Sequence, residues 1–143
     1  MNQPPQKPEE NEFKIITKAK DLVKHTFEMT NEKRFPKKYR FTIVNRLQDL
    51  TIDIFQFIQE ANELDLADPQ EYRERNYDQK KALTKCKLVL FLLELSLEKE
   101  LISSGQCAAW TKKVTDVKYM TAAWKKQDQQ RAATMKRGTP ARR

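Results

Sequence analysis

Glycine is nearly absent, with two among 143 residues, which argues against a turn-rich β fold and leaves no glycine loop to cradle a phosphate. Histidine occurs once and cysteine twice. His25 has no cysteine or histidine nearby, and Cys86 and Cys107 sit among apolar residues at a spacing that fits no zinc motif. Both cysteines read as buried free thiols, and neither a metal nor a cofactor is expected. One histidine also leaves no serine–histidine or cysteine–histidine arrangement for nucleophilic catalysis. The longest purely apolar run, Leu88 to Leu93, is too short to span a bilayer, and the polar, proline-rich start carries no signal-peptide pattern. These scarcities point to a cytoplasmic protein of one domain, with no membrane segment.

What the chain has in plenty is positive charge, a formal +8, and it is unevenly spread. Residues 13–40 carry nine basic and three acidic side chains, whereas 41–68 carry one basic and six acidic. Residues 131–143 add five arginines and lysines with no acid. Arg34, Lys37, Lys38, Arg40 and Arg46 fall within thirteen positions, interleaved with Phe35, Tyr39 and Phe41. Such local concentration suggests contact with a polyanion, and nucleic acid is the usual one inside a cell.

Between two ends without apolar periodicity, 1–12 and 131–143, both expected to be disordered, four segments repeat with helical period. The first, from about Phe13 to Glu32, places Ile16, Ala19, Val23, Phe27 and Thr30 on one face. Pro36 restarts the chain, as a proline suits the first position of a helix. The second helix then reaches about Leu64, burying Ile43, Leu47, Leu50, Ile54, Phe57, Ile58, Ala61 and Leu64. Asp68 reads as an N-cap with Pro69 after it. The third helix, from about Pro69 to Ser103, is expected to bury Leu83, Cys86, Leu90, Leu93, Leu97 and Leu101. Ser104 reads as the next N-cap, and the fourth helix repeats at Cys107, Trp110, Val114, Val117, Thr121 and Trp124. Helices two to four are roughly 40 to 50 Å long at 1.5 Å per residue. The expected fold is all-α, an up-down-up-down antiparallel four-helix bundle over 13–130.

Two helices carry more apolar surface than one bundle needs. On the second, Phe41, Val44, Ile52 and Phe55 form another line beside the main stripe. On the third, "LVLFLLEL" (88–95) is apolar nearly all round, so Leu88, Leu92 and Leu95 are expected to face away from the core. A buried strand is the competing reading of that run, but helix formers continue on both sides. Subunit contact in a homo-oligomer accounts for the surplus, with Phe41, Ile52, Phe55, Leu88, Leu92 and Leu95 at the interface.

Basic side chains also fall in rows. Arg73, Tyr77, Lys81 and Lys85 lie along the outer face of the third helix, and Lys112, Tyr119 and Lys126 stand seven apart on the fourth, opposite the tryptophans. Aromatic rings between cations suit single-stranded nucleic acid, although any one such row is also ordinary solvated helix surface. Asp53, Glu60 and Glu63 fall on the polar side of the second helix. Asp49 projects near the core stripe within reach of Arg46, a spacing that favours a register-fixing pair over catalytic machinery. The chain reads as having no active site of its own.

The stretch "KRFPKKYRFTIVNRLQDLTIDIFQFIQEAN" (33–62) resembles the F-P-K…R-F-T…R…L…E-A-N pattern of the accessory variability determinant proteins of diversity-generating retroelements. A second stretch, "ELSLEKELISSGQCAAWTKKVTDVKYMTAAWKK" (94–126), is similar to their third-to-fourth helix junction. The matching positions are Phe35, Pro36, Lys37, Arg40, Arg46, Glu60, Ala61 and Asn62, with Ser103 and Trp124. Where such proteins tend to carry a basic residue in the third helix this chain has Glu94, which directs a basic site to 37–46 and 73–87. The resemblance implies a basic, barrel-like homopentamer of four-helix bundles. It further implies association with the element's reverse transcriptase and with its template-repeat RNA or cDNA, in support of mutagenic retrohoming. The same superfamily includes proteins encoded in intervening sequences of bacterial 23S ribosomal RNA genes. An interaction protein of that type, without nucleic-acid function, is the alternative.

Overall fold

The computed structural model describes residues 8–138 apart from Glu32. Four helices form, α1 (Pro8–Met29), α2 (Asn45–Glu63), α3 (Pro69–Glu98) and α4 (Ser104–Gly138), and no strand occurs among the described residues. Each helix packs along two neighbours, in the ring order α1–α2–α3–α4 and back to α1, which is the expected bundle. Leu47, Ile54, Ile58, Val89, Leu93, Trp110, Val114 and Val117 form its buried centre.

The helical part exceeds the 13–130 expected from periodicity. Helix α1 already runs from Pro8 and α4 continues through Arg131 to Gly138, so 8–12 and 131–138 are not the unstructured ends expected for them. Glu12 and Arg131 explain the extension, because both reach a buried charge cluster described below. The remainder of both expected tails, 1–7 and 139–143, lies outside the described residues.

Local chemistry sets the helix ends. Asp68 caps α3 by accepting a hydrogen bond from the Gln70 amide at 3.0 Å, with Pro69 after it, as its sequence predicts. At α4 the cap is Ser103 rather than Ser104. Its Oγ accepts from the Gln106 amide at 3.1 Å while the Gln106 side chain accepts from the Ser103 amide at 2.8 Å, a reciprocal capping box. Helix α3 ends where Glu100 adopts a left-handed φ of 59°. The Glu100 and Leu101 amides turn back to the Leu97 and Ser96 carbonyls at 3.0 and 2.9 Å, which closes the helix in a Schellman turn.

The start of the second helical segment departs from the expected α-helix. Lys37–Tyr39 forms a 3-10 turn and Arg40–Val44 a π-helical turn before α2 proper begins. The wider turn holds an extra residue, and this changes which side chains face inward. Ile43 and Val44 are both buried, so Val44 does not belong to the outer line, while Phe41 stands 76% exposed. Helix α1 is also turned by about one residue from the expected face, with Ile15, Leu22, Thr26 and Met29 buried and Phe27 exposed.

Helix α3 differs for a similar reason. Its inward stripe is Arg75, Gln79, Ala82, Cys86, Val89, Leu93 and Ser96, not the expected line through Leu83, Leu90 and Leu97. The rotation turns Leu92 inward, where it is 9% exposed, and leaves Leu95 half-buried against the core. Leu92 is therefore a core residue and no part of an exposed face. Leu88 remains exposed and Phe91, not expected there, joins it, while Ile52 is exposed and Phe55 half-buried on α2. No helix among the described residues is long and apolar enough to cross a membrane.

Candidate nucleic-acid interface

The basic cluster opens where α1 hands over to the second helical segment. Three contacts shape this turn. Thr30 Oγ1 donates to the Thr26 carbonyl at 2.7 Å, Asn31 Nδ2 donates to the Glu28 carbonyl at 2.9 Å, and the Arg34 amide donates to the Asn31 carbonyl at 3.0 Å. They satisfy carbonyls that the end of α1 would otherwise leave open. Asn31 Oδ1 also accepts from the Lys33 amide at 3.1 Å. Phe35 anchors the turn in the core, and Pro36 adopts an extended conformation that points the chain into the next helical turn.

Around this anchor lies a surface pocket of about 380 Å³. The end of α1 contributes Phe27, Thr30 and Asn31, and the turn contributes Lys37 and Arg40. Val44, Asn45 and Gln48 close the far wall. Gln48 Nε2 donates to Thr30 Oγ1 at 3.0 Å and so ties the two helical segments across the pocket floor. Lys37, Lys38, Arg34 and Arg40 are all exposed here. Lys38 Nζ lies 5.1 Å from the centre of the Tyr39 ring, and Lys99 from the end of α3 lies 5.9 Å from the same ring. Lys99 thus extends the basic surface across the end of the bundle. Its distance in sequence hides that neighbourhood, because only the packing of α3 on α2 brings it to Tyr39.

The other expected binding residues do not gather there. Arg46 stands exposed on α2 outside the pocket, and no pair with the likewise exposed Asp49 forms among the described residues. The π-helical turn and the α2 phase leave both on the outer surface, so their expected register-fixing role is not filled. On α3, Arg73 and Tyr77 are exposed, but Lys81 and Lys85 turn toward α2. Lys85 pairs with Asp53 at 3.3 Å, and Lys81 lies 5.6 Å from the Phe57 ring and 4.9 Å from that of Tyr77. Beside Tyr77 the surface is acidic, a depression formed by Glu60, Glu63, Glu74 and Asp78. Burial, then Glu60 and Glu74, pushes the Asp78 carboxyl above its ordinary pKa. A polyanion is repelled at that end. On α4, Lys112 pairs with Asp116 at 2.9 Å, Tyr119 is exposed beside Lys118, and Lys126 lines a separate surface pocket with Trp124 rather than lying opposite it.

At the end of the bundle away from the basic turn, charge is buried. Arg75 Nε and Nη2 donate to the two Asp128 oxygens at 2.6 and 3.0 Å, and Nη2 also donates to Glu12 Oε1 at 2.7 Å. Arg75 Nη1 donates to the Leu64 carbonyl at 3.2 Å, and Gln79 Nε2 donates to Asp128 at 2.7 Å. Trp124 completes the group by donating to Glu12 at 3.2 Å and stacking 4.9 Å from the guanidinium. Burial alone would lower the Arg75 pKa, but its bonds to Asp128 and Glu12 raise it above the ordinary arginine value. Here is the arginine–carboxylate pair at a bundle seam that Arg46 and Asp49 do not make. Continuing the buried repeats of α3 and α4 by one more turn reaches these residues, a signal in the sequence that apolar counting passes over. No cluster able to hold a metal ion occurs among the described residues. Burial pushes the Cys86 thiol up to about 12, so at neutral pH it carries no thiolate.

No family model and no curated protein matches the chain. Among solved structures, the chain is similar to a protein of unknown function from the S23 ribosomal protein family of Bacteroides thetaiotaomicron, with a TM-score of 0.64 and 18% identity. The alignment covers 85% of this chain and 99% of that one, so the two share the four-helix fold over nearly their whole length.

Proposed function

We propose that this protein is a non-enzymatic basic scaffold that binds single-stranded nucleic acid. In this reading it is the accessory protein of a diversity-generating retroelement, holding the reverse transcriptase and its template RNA or cDNA for mutagenic retrohoming. The observation that carries the reading is the α1–α2 turn, where Arg34, Lys37, Lys38, Arg40 and Lys99 surround a pocket with aromatic and amide walls. The same turn holds the most specific part of the family resemblance. Phosphates would meet the cations, and unpaired bases would find rings and amides beside them. The acidic depression by Tyr77 supports a strand confined to one end of the bundle.

The scaffold is a homo-oligomer in this account, a pentamer as the resemblance implies. Support comes from Phe41, Ile52, Leu88 and Phe91, large apolar side chains left in water by the lone bundle. The likeness to the S23-family structure favours a second reading, an interaction protein of the ribosomal intervening-sequence type. The genes beside this one separate the two. A reverse transcriptase with imperfect repeats supports the first, and a position inside a ribosomal RNA gene supports the second. The direct experiment is filter binding of single-stranded RNA at two salt concentrations. Tight binding at low salt that weakens steeply is expected, and absent or salt-independent binding sinks the proposal.

A further inference from the structure

We infer that the pocket at the α1–α2 junction takes one unpaired nucleobase out of the bound strand, while Lys37 and Arg40 at its mouth hold the flanking phosphates. The inference rests on the nucleic-acid reading above and assigns what that site receives. A surface that only collected phosphates would need cations and nothing more, yet the walls here are of a different chemistry. Phe27, 44% exposed, offers a ring face at the rim, and base–aromatic stacking tolerates any base. Asn45 is half-buried in the far wall, and its amide has no hydrogen-bond partner among the described residues. It therefore presents both a donor and an acceptor to whatever enters. Beside it, Gln48 Nε2 is committed to Thr30 Oγ1 at 3.0 Å, which fixes the side chain and leaves its carbonyl oxygen to accept. Fixed amides in a concave wall are suited to reading the Watson–Crick edge of a base. The volume, about 380 Å³, falls within the range of small-ligand sites. A paired base cannot enter, since its edge and both faces are already covered within the duplex.

The test compares two fluorescein-labelled ten-nucleotide RNA strands at low salt, one with all its bases and one abasic at every internal position, with equal numbers of phosphates. The intact strand is expected to bind at least about tenfold more tightly. Phe27→Ala and Asn45→Leu should bring the intact strand close to the abasic one while leaving abasic binding unchanged. Circular dichroism checks the helix content of each variant, and Phe27→Ala carries the test if Asn45→Leu does not fold. Equal affinity for the two strands, with steep salt dependence retained, overturns the base pocket and leaves the polyanion scaffold standing. Duplex RNA binding as tightly as the intact single strand overturns it too. Failure of every strand to bind overturns both.

Discussion

Arg75 donates to carboxylates from α1 and α4, so removing either carboxylate leaves charge in a site that water does not reach. Asp128 is fully buried, and its two oxygens accept from both Arg75 and Gln79. Breaking a buried pair by deleting one partner costs about 3–5 kcal/mol, whereas replacing both with apolar groups of similar volume is often neutral or better. Asp128→Ala is therefore expected to lower unfolding stability in urea by about that amount. The double variant Arg75→Met, Asp128→Leu should recover most of it. A loss under about 1 kcal/mol for the single variant would show that the pair is already solvated. At this scale the sequence is only partly legible. Trp110, Val114, Val117, Thr121 and Trp124 announce themselves by spacing, and all are buried. Arg75 and Asp128 follow the same repeats but do not look like core residues, because burial of a charge depends on a partner that folding alone supplies.

Helix ends are where the elements are most legible, because a cap is a local bond. Asp68 and Pro69 mark the start of α3 in the sequence and mark it in the structure, while the cap of α4 lies one residue before its expected place. The π-helical turn at Arg40–Val44 leaves no such mark. It arises because Phe35 and Ile43 must both reach the core, and it moves Val44 inward and Phe41 outward. The α3 phase was ambiguous for another reason. In "LVLFLLEL" nearly every position is apolar, so periodicity cannot choose among faces, and Leu92 ends inside. The α3–α4 turn supplies the prediction that belongs to elements. Glu100 holds a left-handed φ of 59° in the place where a Schellman turn favours glycine. For a residue with a Cβ that conformation costs about 1–2 kcal/mol. Glu100→Gly is expected to stabilise the fold by about 1 kcal/mol and raise the thermal midpoint by roughly 3 °C. An unchanged or lower midpoint would mean that the turn is not limited by backbone conformation.

Across the whole molecule, charge and apolar surface divide the bundle. One end is basic at the α1–α2 turn, and the other buries its ions and presents the acidic depression. Between them, Ile52 and Leu88 flank the Asp53–Lys85 ion pair on the α2–α3 side. Light scattering after size-exclusion chromatography should give a multiple of the 17.0 kDa chain at micromolar concentration. Leu88→Glu with Phe91→Glu should reduce it to one chain without loss of helix. A wild-type monomer would mean that these side chains simply rest in water. The central claim, a cationic scaffold for a nucleic-acid strand, is tested most directly by a salt titration of single-stranded RNA binding. The logarithm of affinity should fall linearly with the logarithm of salt concentration, with a slope of about 0.7 for each phosphate neutralised. Reversing Lys37 and Lys38 together to glutamate should weaken binding at every salt concentration and flatten the slope by about one for each lysine removed. A flat titration, or one that the double reversal leaves unchanged, would contradict the account.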